Sequence, residues 1–172
     1  MDGCRPSHGM VFVLAGTGVK HMLDVLAYLF QVFYHADGMP DVPKLASELA
    51  DAGFEDDEIG EALAWLDDLG KVDLEPYAAL AGRHLPRQLH PDEESLLSAD
   101  ALRYWHGLNH ADALDAAERE MVLDRVREAA PVGTGLERLK RLVLLAIWHK
   151  RHDHAALLIE DILFGRENAT LH

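Results

Sequence analysis

From about residue 20 the chain carries a nearly unbroken apolar run, HMLDVLAYLFQVFYH. Leu23, Leu26, Tyr28, Leu29, Phe30, Val32 and Phe33 fall within it, and Asp24 is its only acid. A helix apolar almost all round belongs in the middle of a fold. At about 20–35 this one is shorter than the roughly 20 apolar residues a bilayer requires. DGMPD then breaks the pattern, with Gly38 and Pro40 as turn punctuation. Pro43 suits the first turn of a second helix. In that helix Leu45, Leu49 and Ala52 share a face, and Gly53 is a fitting C-terminal stop. A third helix over about 56–69 puts Ile59, Leu63 and Leu66 on one stripe, with Trp65 flanking it and Gly70 ending it.

Residues 71–90 lose this periodicity, and Pro76, Gly82 and Pro86 punctuate them. They read as a connection, with a short extended piece near 87–90. Pro91 followed by Asp92, Glu93 and Glu94 is a strong helix start, because proline lacks only an unneeded donor there and acids favour the positive helix end. That helix is predicted to run to about 110, burying Leu97, Leu102, Trp105 and Leu108. Asp115 with Glu118 opens another as a capping-box variant, burying Met121, Val122 and Val126. Thr134 with Glu137 opens the next, with Leu139, Leu142, Val143, Ala146 and Ile147 inside. A last helix covers about 153–164. No stretch alternates as a half-buried strand would. The expectation is an all-α fold of about seven helices. A three-helix unit over 22–70 joins a four-helix unit over 91–172 through the 71–90 linker, behind a loose extension over 1–21.

Charge is distributed unevenly over this framework. The 172 residues carry a formal net charge of −14, which disfavours non-specific binding to phosphate backbones or anionic membranes. Residues 44–70 hold nine acids against one lysine. The two short helices meeting at Gly53 have the spacing of a helix-turn-helix. The would-be recognition helix, however, opens Glu55-Asp56-Asp57-Glu58 and would be repelled by DNA. Bases outnumber acids over 116–151 instead. Arg119, Arg125, Arg138, Lys140 and Arg141 form a candidate interaction strip, set against the simpler reading that they pair with nearby carboxylates such as Glu120 and Asp124. The block from Glu118 to Arg125 is read in the same way, as structural pairing first and partner docking second.

Chemical motifs are sparse. WHKRHDH at 148–154 brings His149, His152 and His154 together, but Lys150 and Arg151 stand between them and the spacing suits a helix-to-helix turn better than a zinc site. Cys4 is the only cysteine, so neither an intrachain disulfide nor a cysteine-based zinc site is available. There is no phosphate-binding glycine loop and no nucleophile in a recognisable triad setting. No residue is assigned a catalytic, cofactor-binding or metal-binding role. The start of the chain has neither a signal-peptide pattern nor a membrane helix, so a cytoplasmic location is expected.

Five blocks, taken in order, resemble the bacterial Smg family: MLDVLAYLF at 22–30, AGFEDDEIGEALAWLDDL at 52–69, EREMVLDRV at 118–126, LERLKRLVLLAIW at 136–148, and IEDILF with the closing LH within 159–172. The resemblance covers about 22–172 and implies that residues 1–21 are an extension or an upstream start, with Met22 as the initiator. It implies no catalytic residues, and it carries a loose association with genes for DNA processing and tRNA modification. The resulting expectation is a non-enzymatic helical adaptor or regulator whose partner is another protein, with no membrane contact and no oligomeric state implied. The rivals are an accessory factor touching DNA or RNA through the basic strip, and a metal-dependent hydrolase.

Overall fold

The computed structural model describes residues 22–34, 41–148 and 153–165, the side chains of Asp153 and His154 excepted. Residues 1–21, the DGMP turn, His149 and His152 and the side chain of His154 therefore lie outside the described residues. Among these described residues eight α-helices run in the order α1 Met22–Phe33, α2 Val42–Asp51, α3 Asp56–Gly70, α4 Pro91–Ser95, α5 Ala99–His110, α6 Ala116–Glu128, α7 Leu136–Ile147 and α8 Asp153–Phe164. A 3₁₀ segment, Glu75–Leu80, lies between α3 and α4. The fold is all-α. Among the described residues the only β-type pairing is one isolated parallel bridge between Leu97 and Thr134.

The apolar α1 packs against α3 and α8. It buries Met22, Val25, Leu26, Leu29 and Phe30, whereas Val32 is 45% exposed. α2 ends as its glycine requires. Gly53 adopts φ +92°, its N–H donates to Ala50 O at 3.0 Å, and Phe54 N–H donates to Leu49 O at 3.2 Å. Phe54 folds back into the core, edge-on to Tyr28. α6 and α7 pack on each other and fill the centre of the second half. From Leu142 to Trp148 every residue of α7 and its C-cap is buried. One hydrophobic core runs from α1 through α8, so the two sequence units share it.

Four local readings are corrected by packing. The expected helix over 91–110 is broken at Leu96–Leu97, because that backbone pairs with Thr134, two residues before α7, instead. Thr134 N–H donates to Leu96 O at 2.7 Å and Ser98 N–H to Thr134 O at 3.0 Å. Ser98 then caps α5 by accepting from Ala101 N–H at 3.2 Å. Thr134, engaged in this bridge, does not cap α7: the N-cap is Gly135, without a side-chain bond. On α3 the inward stripe is Ile59, Ala62, Trp65 and Leu69, while Leu63 and Leu66 are half-buried. Trp65 can go inside because its indole N–H donates to Arg141 O at 3.2 Å. Finally, residues 71–90 contain the 3₁₀ turn around Pro76, which packs on α6.

Candidate functional site

On α6, Glu120, Asp124 and Arg127 are spaced four and three apart and so share one face. Two groups from outside the helix reach that face. Arg87 comes from the stretch after the 3₁₀ segment, and Glu93 from the first turn of α4. Arg87 grips Glu93 with both terminal nitrogens, Nη2 to Oε1 at 2.8 Å and Nη1 to Oε2 at 2.9 Å, and its Nε pairs with Glu120. Arg127 bridges Glu93 and Asp124. His90 N–H donates to Glu93 Oε2 at 2.8 Å as part of the α4 cap. Glu93 is 7% exposed. The hydrogen bonds from Arg87, joined by those from the His90 backbone and Arg127, outweigh its burial and hold the carboxyl at about 2. Tyr77, in the 3₁₀ segment, donates its hydroxyl to Asp124, and this bond leads in pushing the phenol up to about 12.

Beside this network lies a cavity of about 450 Å³. Leu80, Leu85, Pro86 and Ala116 form its apolar wall, and Tyr77, Arg87, Arg119 and Glu120 its polar one. The capping box of α6 braces one edge. Asp115 Oδ1 accepts from Glu118 N–H and Glu118 Oε2 from Asp115 N–H, each at 2.9 Å. Asp115 Oδ2 also accepts from Gly82 N–H at 3.0 Å, tying the connecting segment to the helix start.

The five residues of the sequence-derived strip are not brought together as one surface. Arg119 is 4% exposed and points inside, so it leaves the strip: its Nη2 donates to the Leu85 carbonyl and its Nη1 to Asn109 Oδ1 at 3.5 Å. Arg141 is half-buried, with Nη1 3.4 Å from Met22 Sδ and 3.7 Å from a Glu61 oxygen. Lys140 lies over the Tyr104 ring at 5.7 Å. Arg125 is half-buried, and Arg138 alone of the five is exposed. Asp51, Glu55, Asp56, Asp57, Glu61, Asp67 and Asp68 are all exposed along α2–α3. The sequence reading did not find Arg87, Glu93 or Tyr77. The α6 spacing of Glu120, Asp124 and Arg127 was a visible sign of a polar face, but its partners come from a stretch without periodicity.

Among the described residues no three His, Cys, Asp or Glu side chains converge as metal ligands would, and no helix is long and apolar enough to cross a membrane. His149, His152 and the side chain of His154 are outside the described residues. The preceding Trp148 is buried, edge-on to Trp65 with ring centroids 5.2 Å apart.

No solved structure matches the chain. Over residues 22–172 it matches the family model described as "Protein of unknown function (DUF494)". Curated relatives agree. A Protein Smg homolog of Azoarcus sp. is 36% identical over 143 residues, covering 83% of this chain and 92% of the relative. One of Chromobacterium violaceum is 37% identical over 143 residues, with 83% and 93% covered. One of Methylobacillus flagellatus is 34% identical over 151 residues, spanning 88% of this chain and all of the relative. The match to the family covers all eight helices and begins at the first residue of α1, and the chain belongs to the bacterial Smg (DUF494) family.

Proposed function

We propose that this Smg protein is a non-enzymatic cytoplasmic adaptor or regulator that acts through protein–protein contact. One observation carries the reading: its arginines are largely engaged within the molecule, while the acids of α2–α3 are displayed. Arg87, Arg127 and Arg141 are each paired to a carboxylate, and Arg119 is buried. Seven acids of α2–α3 face solvent, and the nearby exposed Lys71 is paired with Asp67. Binding to nucleic acid needs several free cations arranged over phosphates. A partner protein with a basic face is the better complement to this surface.

The test has two arms. Labelled single- and double-stranded DNA and RNA are titrated at low salt, and no binding is expected. Binding that disappears in Arg138→Glu/Lys140→Glu would overturn the reading in favour of a nucleic-acid accessory factor. A photo-crosslinker at Asp57 in the host is expected to capture a discrete protein. That capture should weaken with salt and be lost on reversing Asp56 and Glu61 to lysine. Capture insensitive to both would remove the acidic face from the reading.

A further inference from the structure

Arg119, the fourth residue of α6, places a guanidinium inside the fold at 4% exposure. The positive end of the helix dipole lies beside it and offers no compensation. Its hydrogen-bond acceptors are neutral, the Leu85 carbonyl and the Asn109 side-chain oxygen, and its Nε–H is buried without an acceptor. Among the described residues it forms no ion pair with a carboxylate, in contrast to Arg87, Arg127 and Arg141. A buried charge without a counter-charge is strongly unfavourable, so a fold that keeps one has a use for it or a partner for it.

The charge borders the 450 Å³ cavity, whose size falls within the range of small-ligand sites. Arg87, on the same wall, is already taken by Glu93 and Glu120. Arg119 is therefore the lining cation without a counter-ion. The remaining surface is mostly apolar, from Leu80, Leu85, Pro86 and Ala116 with the Tyr77 ring. Glu120 on the rim makes the site hostile to a multiply charged anion such as phosphate. Leu85, outside any helix and 52% exposed, lines the cavity with its carbonyl bonded to Arg119 Nη2.

We propose that this cavity binds a small, mainly apolar monocarboxylate, with Arg119 as its counter-ion. The assignment stands apart from the adaptor reading, because it concerns this cavity beside α6 and not the acidic face.

Benzoate and 3-phenylpropionate are the probes, with benzamide and 3-phenylpropanamide as neutral controls and inorganic phosphate as the hydrophilic anion. Binding to the full chain is followed by amide chemical shifts, read at Leu85 and Ala116. The acids are expected to give saturable shifts at those positions and to bind at least tenfold more tightly than the amides, with phosphate giving none. Arg119→Met is expected to abolish the preference for acid over amide. Leu80→Trp, which fills the half-buried rim and leaves Arg119 intact, is expected to block both acids; it serves as the deciding variant if Arg119→Met does not fold. Equal affinity for acid and amide, no saturable shift at Leu85 and Ala116, or acid binding untouched by Leu80→Trp would each overturn the proposal.

Discussion

Arg87 and Glu93 meet in a two-point clasp at 2.8 and 2.9 Å, and through it a stretch of chain with no helical periodicity is fastened to the first turn of α4. Glu93 also takes Arg127 from α6, so one carboxylate joins three parts of the second half. The pair is little exposed, and losing one member leaves the others with uncompensated charge.

Replacing Glu93 with Gln is expected to destabilise the protein by about 3 kcal/mol, measured by urea unfolding at neutral pH. The pH dependence has a definite sign. The folded carboxyl sits at about 2, below its ordinary value of 4.5. Its contribution is therefore complete above about pH 5 and lost as pH falls from there toward 2. The wild type should show a steeper loss of stability over that window than Glu93→Gln, and equal slopes would count against the clasp.

Tyr77 gives the opposite limb. Its phenol is raised from 10.0 to about 12, so its contribution is present below pH 10 and fades as pH rises toward 12. Tyr77→Phe should cost about 1–2 kcal/mol at neutral pH, the worth of a hydrogen bond to a carboxylate. Hydrogen exchange of the amides in the Glu75–Leu80 turn should quicken in the same variant. An absorbance titration should show the missing phenol as the loss of a late-ionising step.

Trp65→Phe keeps a ring inside but removes the bond to Arg141 O and shrinks the edge contact with Trp148. About 1–2 kcal/mol of destabilisation is expected in denaturant melts. Because the lost bond spans α3 and α7, the change should appear as weaker protection in both helices rather than in one.

Arg127 and Arg138 provide a matched comparison. Arg127→Ala should cost about 1–2 kcal/mol, since it strips partners from Glu93 and Asp124. Arg138 is exposed, and Arg138→Ala should stay within about 0.5 kcal/mol of wild type. Thermal melts of the two variants side by side would check this, and similar losses would mean that Arg138 has a structural role as well.

Ser98→Ala should cost about 1 kcal/mol, because Ser98 caps α5 at the break between α4 and α5. If calorimetry showed no cost, the break would depend on the Leu97–Thr134 bridge alone.

Much of the framework was legible because it is local. The glycine at 53, the Asp115–Glu118 box and the apolar faces of α1, α6 and α7 each specify their conformation through neighbours within about one turn. The candidate site was much less legible. Arg119 sits among charged neighbours and reads as a surface residue, yet it turns inward to the Leu85 carbonyl, 34 positions away. Arg87 and Glu93 look like ordinary exposed charges until α6 supplies Glu120 and Arg127.

By itself the sequence determined an all-α chain, its helix starts and stops for the most part, the acidic character of α2–α3 and membership of the Smg family. The first three follow from periodicity, capping chemistry and composition, which act over a few residues at a time, and the family from the resemblance of five sequence blocks and the family match. Only the tertiary structure decided that 91–110 breaks in two, that Thr134 pairs with Leu96 instead of capping α7, that Trp65 goes inside, and that Arg87 and Arg119 come together at one cavity. Each of those depends on a partner dozens of residues away. Which donor meets which acceptor there is set by how whole helices pack.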